Sequence, residues 1–106
     1  MPSDKYLEKA KAQLSLRPIF ELNGADIQIV LILDQSPPLD AYWYKGKQAH
    51  IIAVDVEGNF FLRQSSGVVK YWVHKTKSLE NVSLSVKDFV AGLGEDTSGI
   101  IGRHHA

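Results

Sequence analysis

The chain has 106 residues, no cysteine, twelve Lys and Arg against twelve Asp and Glu, and 44% hydrophobic residues. That composition belongs to one ordinary globular domain rather than a disordered or fibrous chain, long enough to bury about two-thirds of the surface its unfolded form exposes. The balanced charge offers no field to gather phosphate backbones or anionic lipid, and the missing cysteines exclude disulfides, thiolate metal sites and Cys nucleophiles.

The opening Met-Pro-Ser-Asp-Lys-Tyr has no apolar h-region. The longest uninterrupted apolar run, Ile29 to Leu33, falls far short of the about 20 residues that a spanning helix needs. A cytoplasmic protein is therefore expected, without nucleic acid or membrane as partner.

In chain order, Ser3 to Leu16 places Tyr6, Leu7, Ala10 and Leu14 at helical spacing, with Ser3 as N-cap and Pro18 as the stop. Ile19 to Leu22 and Asp26 to Leu33 then read as antiparallel strands around the turn Asn23-Gly24. Pro37-Pro38 makes Asp34 to Asp40 a loop. Ala41 to Tyr44 reads as an aromatic strand, with Lys45-Gly46-Lys47 turning into the next strand, His50 to Val54.

Two further strands, Asn59 to Arg63 and Val68 to His74, follow Gly-containing turns and complete a β-meander. In the last of these, Val69, Tyr71 and Val73 share one face while Val68, Lys70 and Trp72 share the other. Both faces carry apolar bulk, so one is expected to pack on a helix and the other to be partly covered. Ser85 to Leu93 predicts a second helix through Val86, Phe89, Val90 and Leu93, opened by Ser85-x-x-Asp88 and stopped by Gly94.

The expected fold is α+β: a central antiparallel sheet of about five to six strands with an N-terminal and a C-terminal helix. One domain spans residues 1–94, and a flexible tail spans 95–106.

Catalytic and metal chemistry find little support. His50 and His74 stand at the far ends of separate strands and His104-His105 lies in the tail, a poor metal-ligand spacing. Asp55-x-Glu57-Gly58-Asn59 clusters oxygen donors but lacks the length and closing acid of an EF-hand loop. A hairpin turn with solvated acids is the plainer reading. There is no Gly-x-Ser-x-Gly elbow, Ser-x-x-Lys pair or glycine-rich phosphate loop. No enzyme, cofactor or metal is expected.

The aromatic residues point elsewhere. Tyr42, Trp43 and Tyr44 precede a basic turn, and Tyr71-Trp72 lies in the last meander strand. Tyr and Trp anchor protein interfaces. As strand neighbours, Trp43 would face one way and Tyr42 and Tyr44 the other, leaving one or two aromatics outward. Tyr42, Trp43, Tyr44, Tyr71 and His74 are the candidate partner-binding residues. The rival is a small-ligand or enzymatic site on the concave meander near Asp55, Arg63 and His74. A third reading is a homo-oligomeric structural subunit pairing through its sheet edge, which a net charge near zero would favour.

One stretch also has the pattern of a known family. The apolar strand and acidic turn Ile51-Ile-Ala-Val-Asp-Val-Glu-Gly-Asn59 lead into Phe60-Phe-Leu62. The aromatic strand Gly67-Val-Val-Lys-Tyr-Trp-Val-His74 follows, and then the helix start Leu84-Ser-Val-Lys-Asp-Phe-Val90. This segment, His50 to Leu93, resembles the second half of the SUKH superfamily, which contains fungal cell-wall-synthesis regulators and many bacterial immunity proteins. That family opens with a longer helical region carrying Leu-Pro and Asn-Gly-Gly elements, where this chain has one helix and a lone Asn23-Gly24 before the first strands. The resemblance implies an α+β, non-enzymatic, cofactor-free protein whose partner is another protein, in the bacterial case a toxin it neutralises.

Overall fold

The computed structural model describes residues 5–12, 18–45 and 47–95. Its elements are α1 (Lys5–Lys11), β1 (Pro18–Leu22), β2 (Ala25–Ile32), β3 (Ala49–Asp55), β4 (Phe60–Gln64), β5 (Val69–Val73), β6 (Ser78–Ser83), α2 (Val86–Ala91) and β7 (Leu93–Glu95). All seven strands form one antiparallel sheet in the order β6-β5-β4-β3-β2-β1-β7. Register shifts at Ile29/Leu31, Ile51/Ala53 and Val69/Lys70 insert extra residues into the ladders. Such bulges increase local twist, and the sheet curls into a half-barrel.

The α+β class and the meander are as expected, but the strand count is higher than the five to six read from the sequence. Two strands escaped that reading. Ser78–Ser83 carries only Leu79 and Val82 as apolar residues, because an edge strand needs no two-sided burial. Leu93–Glu95 falls where the sequence predicts the end of the second helix, its Gly94 stop and the start of the tail. That helix instead ends at Ala91, and Gly92 caps it, its N–H reaching the Asp88 and Phe89 carbonyls at 3.1 Å. Leu93 then pairs with Phe20 of β1. The expected flexible tail beyond Glu95 lies outside the described residues, as do Ser3 and residues 13–17.

A third correction concerns Ala41 to Tyr44, which is a turn and not a strand: the Tyr44 N–H returns to the Ala41 carbonyl at 3.0 Å. Asn23-Gly24 does form the hairpin turn, with φ of 53° and 84°. The first of these strains any side chain except a short polar one, and the second suits glycine. Ser85 caps α2 as its sequence indicates, its Oγ accepting the Asp88 N–H at 3.1 Å.

The sheet buries both faces in different ways. On one face, Leu7 and Ala10 of α1 and Val86 and Phe89 of α2 pack on Phe20, Ile29, Ile32, Ile52, Ala53, Phe61, Val69 and Tyr71. Phe20, Phe61 and Phe89 meet there with ring centroids 4.9 to 5.8 Å apart. On the other face, Ala49, Leu62 and Trp72 are covered by Leu39, Trp43 and Tyr44 from a strap made of residues 33–45 and 47–48. The alternation read along β5 therefore holds, with Val69 and Tyr71 under the helices and Trp72 under the strap.

Gly92 tests the helix-side packing. A Cβ built there would lie 2.8 Å from the Phe20 ring, so the ring must shift within its cluster with Phe61 and Phe89. Gly92 has φ −85°, which alanine adopts freely and which would by itself favour the substitution by about 0.4–1 kcal/mol. Overpacking costs about 1–3 kcal/mol and outweighs it. Gly92→Ala is expected to destabilise the fold by about 1 kcal/mol, read as a lower urea midpoint at unchanged slope.

Candidate functional site

The face beneath the strap holds the aromatic residues. Cross-strand pairing aligns Leu31, Val54, Phe60, Trp72 and Leu79 in one file across β2 to β6. Paired residues of antiparallel strands point the same way, so the five side chains share one side of the sheet. The strap covers only the middle of the file. Trp43 lies over Trp72 and Phe60 with centroids 5.1 and 5.9 Å away, nearly parallel to both. Trp72 is 7% exposed, while Leu31 and Leu79 at the two ends remain 42% and 37% exposed.

The turn geometry overturns the alternation expected for residues 42–44. Trp43 and Tyr44 both face the sheet, Tyr44 donating its phenol hydrogen to the Lys47 carbonyl, and Tyr42 alone projects outward, 88% exposed. A strand would have forced neighbours apart, whereas a turn lets consecutive side chains converge. His74 is set edge-on to Trp43 and Phe60, with centroids 5.0 and 4.9 Å away, and its Nδ1 accepts the Trp72 indole N–H at 2.9 Å.

Tyr71, the remaining candidate, points to the opposite face and is buried. It belongs to a polar node around Asp55. The Asp55 carboxylate accepts the backbone N–H groups of Glu57 at 2.9 Å and Asn59 at 2.8 Å, the Asn59 amide at 3.5 Å and the Tyr71 hydroxyl. Asn59 also donates to the Tyr71 oxygen at 3.1 Å and accepts the His74 N–H at 3.0 Å. The node thus ties the β3–β4 turn to β5. Asp55 is 3% exposed, so of the acids expected to be solvated in this turn only Glu57 reaches solvent. A buried carboxylate must collect donors, and a tight turn supplies two from its own backbone.

Burial, reinforced by the hydrogen bond to Asp55, holds the Tyr71 phenol well above its usual value of about 10. Its proton is bound more tightly in the folded chain. The resulting stability is fully present below about pH 10 and declines as pH rises above it. Tyr71→Phe removes that hydroxyl, so wild type is expected to exceed Tyr71→Phe in stability at pH 7 by about 1–3 kcal/mol. The gap should narrow from pH 10 upward, as read by urea titrations of the two proteins across that range.

Beside the node a cleft of about 390 Å³ opens between the β1–β2 hairpin, the β3–β4 turn and β6, its mouth carrying Asp26, Glu57 and Glu80. Asn23 donates to Glu80 across it at 3.1 Å. The three residues of the rival site do not converge on this cleft. Asp55 lies at its floor, the His74 ring stands on the other face of the sheet, and Arg63 sits beside His50 toward the far end of β4. Among the described residues no three His, Asp or Glu are placed to hold a metal ion, and no helix is long and apolar enough to cross a membrane.

Sequence reasoning missed Leu31 and Leu79 as site residues. Leu31 lies within a run of five apolar residues that shows no alternation, and only the bulge after Ile29 turns it outward. Leu79 lies in the edge strand β6, whose sequence carries little apolar periodicity. Comparison with protein-family models, with curated proteins and with solved structures finds no match to this chain.

Proposed function

We propose that this chain is a non-enzymatic, cytoplasmic protein-binding domain that docks its partner on the sheet face opposite the helices. The observation that carries the reading is the file Leu31–Val54–Phe60–Trp72–Leu79, apolar across five strands and left open at both ends. Leu31 and Leu79 stand exposed on either side of the strap-covered aromatic centre, so a partner laid along the file would cover apolar side chains at both ends. Trp43 and the outward Tyr42 supply the aromatic anchors that interface centres favour. Lys70 on β5 lies on this side of the sheet, Lys45 and Lys47 lie in the strap, and Lys75 and Lys77 lie in the turn after β5. A partner with an apolar centre and an acidic rim fits that pattern.

The finer reading, an immunity protein that covers a toxin's active site, draws on the SUKH-like pattern of His50 to Leu93. The rival reading of a small-ligand or enzymatic site draws only on the acidic cleft, where Asp55 is fully engaged with its own turn and Tyr71. Self-assembly through the β6 edge is the third reading, which light scattering across a concentration series separates from a monomer.

The test is to capture a partner from native lysate with the tagged domain and to titrate the purified pair. Leu31→Asp and Leu79→Asp, at half-exposed positions that tolerate a carboxylate, are each expected to weaken binding about tenfold or more. Lys87→Asp on the exposed side of α2 should bind as wild type does. Absence of any stoichiometric partner, or wild-type affinity in both leucine variants, would overturn the reading.

A further inference from the structure

The strap is held to the sheet by two histidines used in opposite ways. At its root, His50 Nδ1 lies 2.8 Å from the Ser36 carbonyl. A carbonyl only accepts, so this nitrogen carries a hydrogen, and a second proton added at Nε2 leaves the bond intact. Ser36 Oγ donates to the Ile51 carbonyl at 2.8 Å, and the backbone N–H groups of Leu33 and Leu39 reach Ile52 and Ala49 at 2.9 and 2.7 Å. The root is therefore fastened in either charge state of the imidazole.

The tip is fastened differently. Trp43 is held over the sheet by ring contacts with Trp72, Phe60, His74 and its neighbour Tyr44. His74 Nδ1 lies 2.9 Å from Trp72 Nε1. An indole N–H only donates, so this Nδ1 must be bare and the ring hydrogen must sit on Nε2. The imidazolium has hydrogen on both nitrogens and would set two N–H groups against one another. Histidine is the side chain that crosses this change between about pH 8 and about pH 5.

We propose that His74 is a pH-sensitive latch on the strap tip: proton uptake breaks its bond to Trp72, expels the imidazolium from the aromatic slot and releases Trp43. Its consequence, that acid uncovers Phe60 and Trp72 at the centre of the docking face, rests on the reading given above. The latch itself does not.

The charged and titratable groups on the surrounding elements are Asp34, Asp40, Tyr42, Tyr44, Lys45 and Lys47 in the strap, Arg63 on β4, Lys70 and Tyr71 on β5, Lys75 and Lys77 in the turn after it, and Glu57 in the β3–β4 turn. β4 presents Phe60 to the ring. Among the described residues His74 forms no ion pair, and its backbone N–H is already given to Asn59. The imidazolium thus gains no carboxylate in the slot. The faces of Trp43 and Phe60 attract a cation, which opposes release, but His74 is exposed and water weakens that attraction. The indole N–H of buried Trp72 has no such recourse to water while the strap stays closed.

The experiment follows the two indole N–H resonances of the ¹⁵N-labelled protein, with near-UV circular dichroism, from about pH 8 to about pH 5. The Trp72 indole proton should move upfield and exchange faster with solvent, and the near-UV signal of the stacked Trp43–Trp72 pair should be lost while the far-UV spectrum stays constant. His74→Gln, whose carbonyl oxygen accepts the indole hydrogen at every pH, should show neither change. His50→Gln, whose amide can still donate to Ser36, should titrate as wild type. A Trp72 resonance that stays fixed across the range, or one that moves equally in His74→Gln, would overturn the latch. No partner is present in this experiment, so it fails or succeeds independently of the Leu31→Asp and Leu79→Asp binding test.

Discussion

Replacing Asp55 with alanine is expected to cost about 3–4 kcal/mol of folding stability, a large share of the about 5–15 kcal/mol that holds a domain folded. The carboxylate gathers two backbone N–H groups, the Asn59 amide and the Tyr71 hydroxyl in a buried site. Its loss leaves the Asn59 N–H and the Tyr71 hydroxyl as buried donors with no acceptor within the turn, and the desolvation of each goes uncompensated. Asp55→Asn keeps one acceptor for the turn but sets an NH₂ against Tyr71 and Asn59, so it should fall between wild type and Asp55→Ala. Urea titrations at pH 7 give the order directly. Equal midpoints for Asp55→Ala and wild type would mean that the node is ornamental. The effect should also reach the aromatic face, because Asn59 holds the His74 N–H and so fixes where β5 ends.

Phe61→Ala is the second large effect, expected at about 3–5 kcal/mol. Phe61 is fully buried, and its ring meets Phe20, Tyr71 and Phe89 at 5.8, 4.8 and 4.9 Å. It is the point where α2, β1 and the centre of the meander touch. Alanine would leave a cavity walled by rings anchored on different elements, which limits collapse and places the cost toward the upper end of that range. Thermal and urea unfolding should agree on the loss. A cost below about 2 kcal/mol would indicate that Phe20 and Phe89 close the gap. Phe61 faces away from the strap, so a partner added in excess should still bind the folded fraction. That separates a stability defect from a docking defect, which Leu31→Asp is expected to show without unfolding.

The meander, the Asn23-Gly24 hairpin, the Ser85 cap and the two-faced character of β5 were all legible in the sequence. Each depends on interactions within a few residues: alternation of side chains, a turn that needs positive φ, a hydroxyl three residues before an N–H. These are set locally and leave a local pattern. The edge strands were not legible for the opposite reason. Ser78–Ser83 and Leu93–Glu95 become strands by adding to β5 and β1, neighbours the local sequence does not specify, and a strand buried on one side or less carries little apolar periodicity.

The candidate site divides in the same way. That Tyr42, Trp43, Tyr44, Tyr71 and His74 are unusual was evident from residue type alone. Where they point was decided by tertiary structure. A turn in place of a strand brought Trp43 and Tyr44 inward together, the sheet put Tyr71 on the helix face with Asp55, and cross-strand register joined Leu31 and Leu79 to Phe60 and Trp72. The sequence by itself determined the composition, the turns and the alternation within each strand. The tertiary structure decided which strands are neighbours and which face the strap covers, because pairing and coverage are contacts between residues far apart in the chain and leave no periodic trace in it.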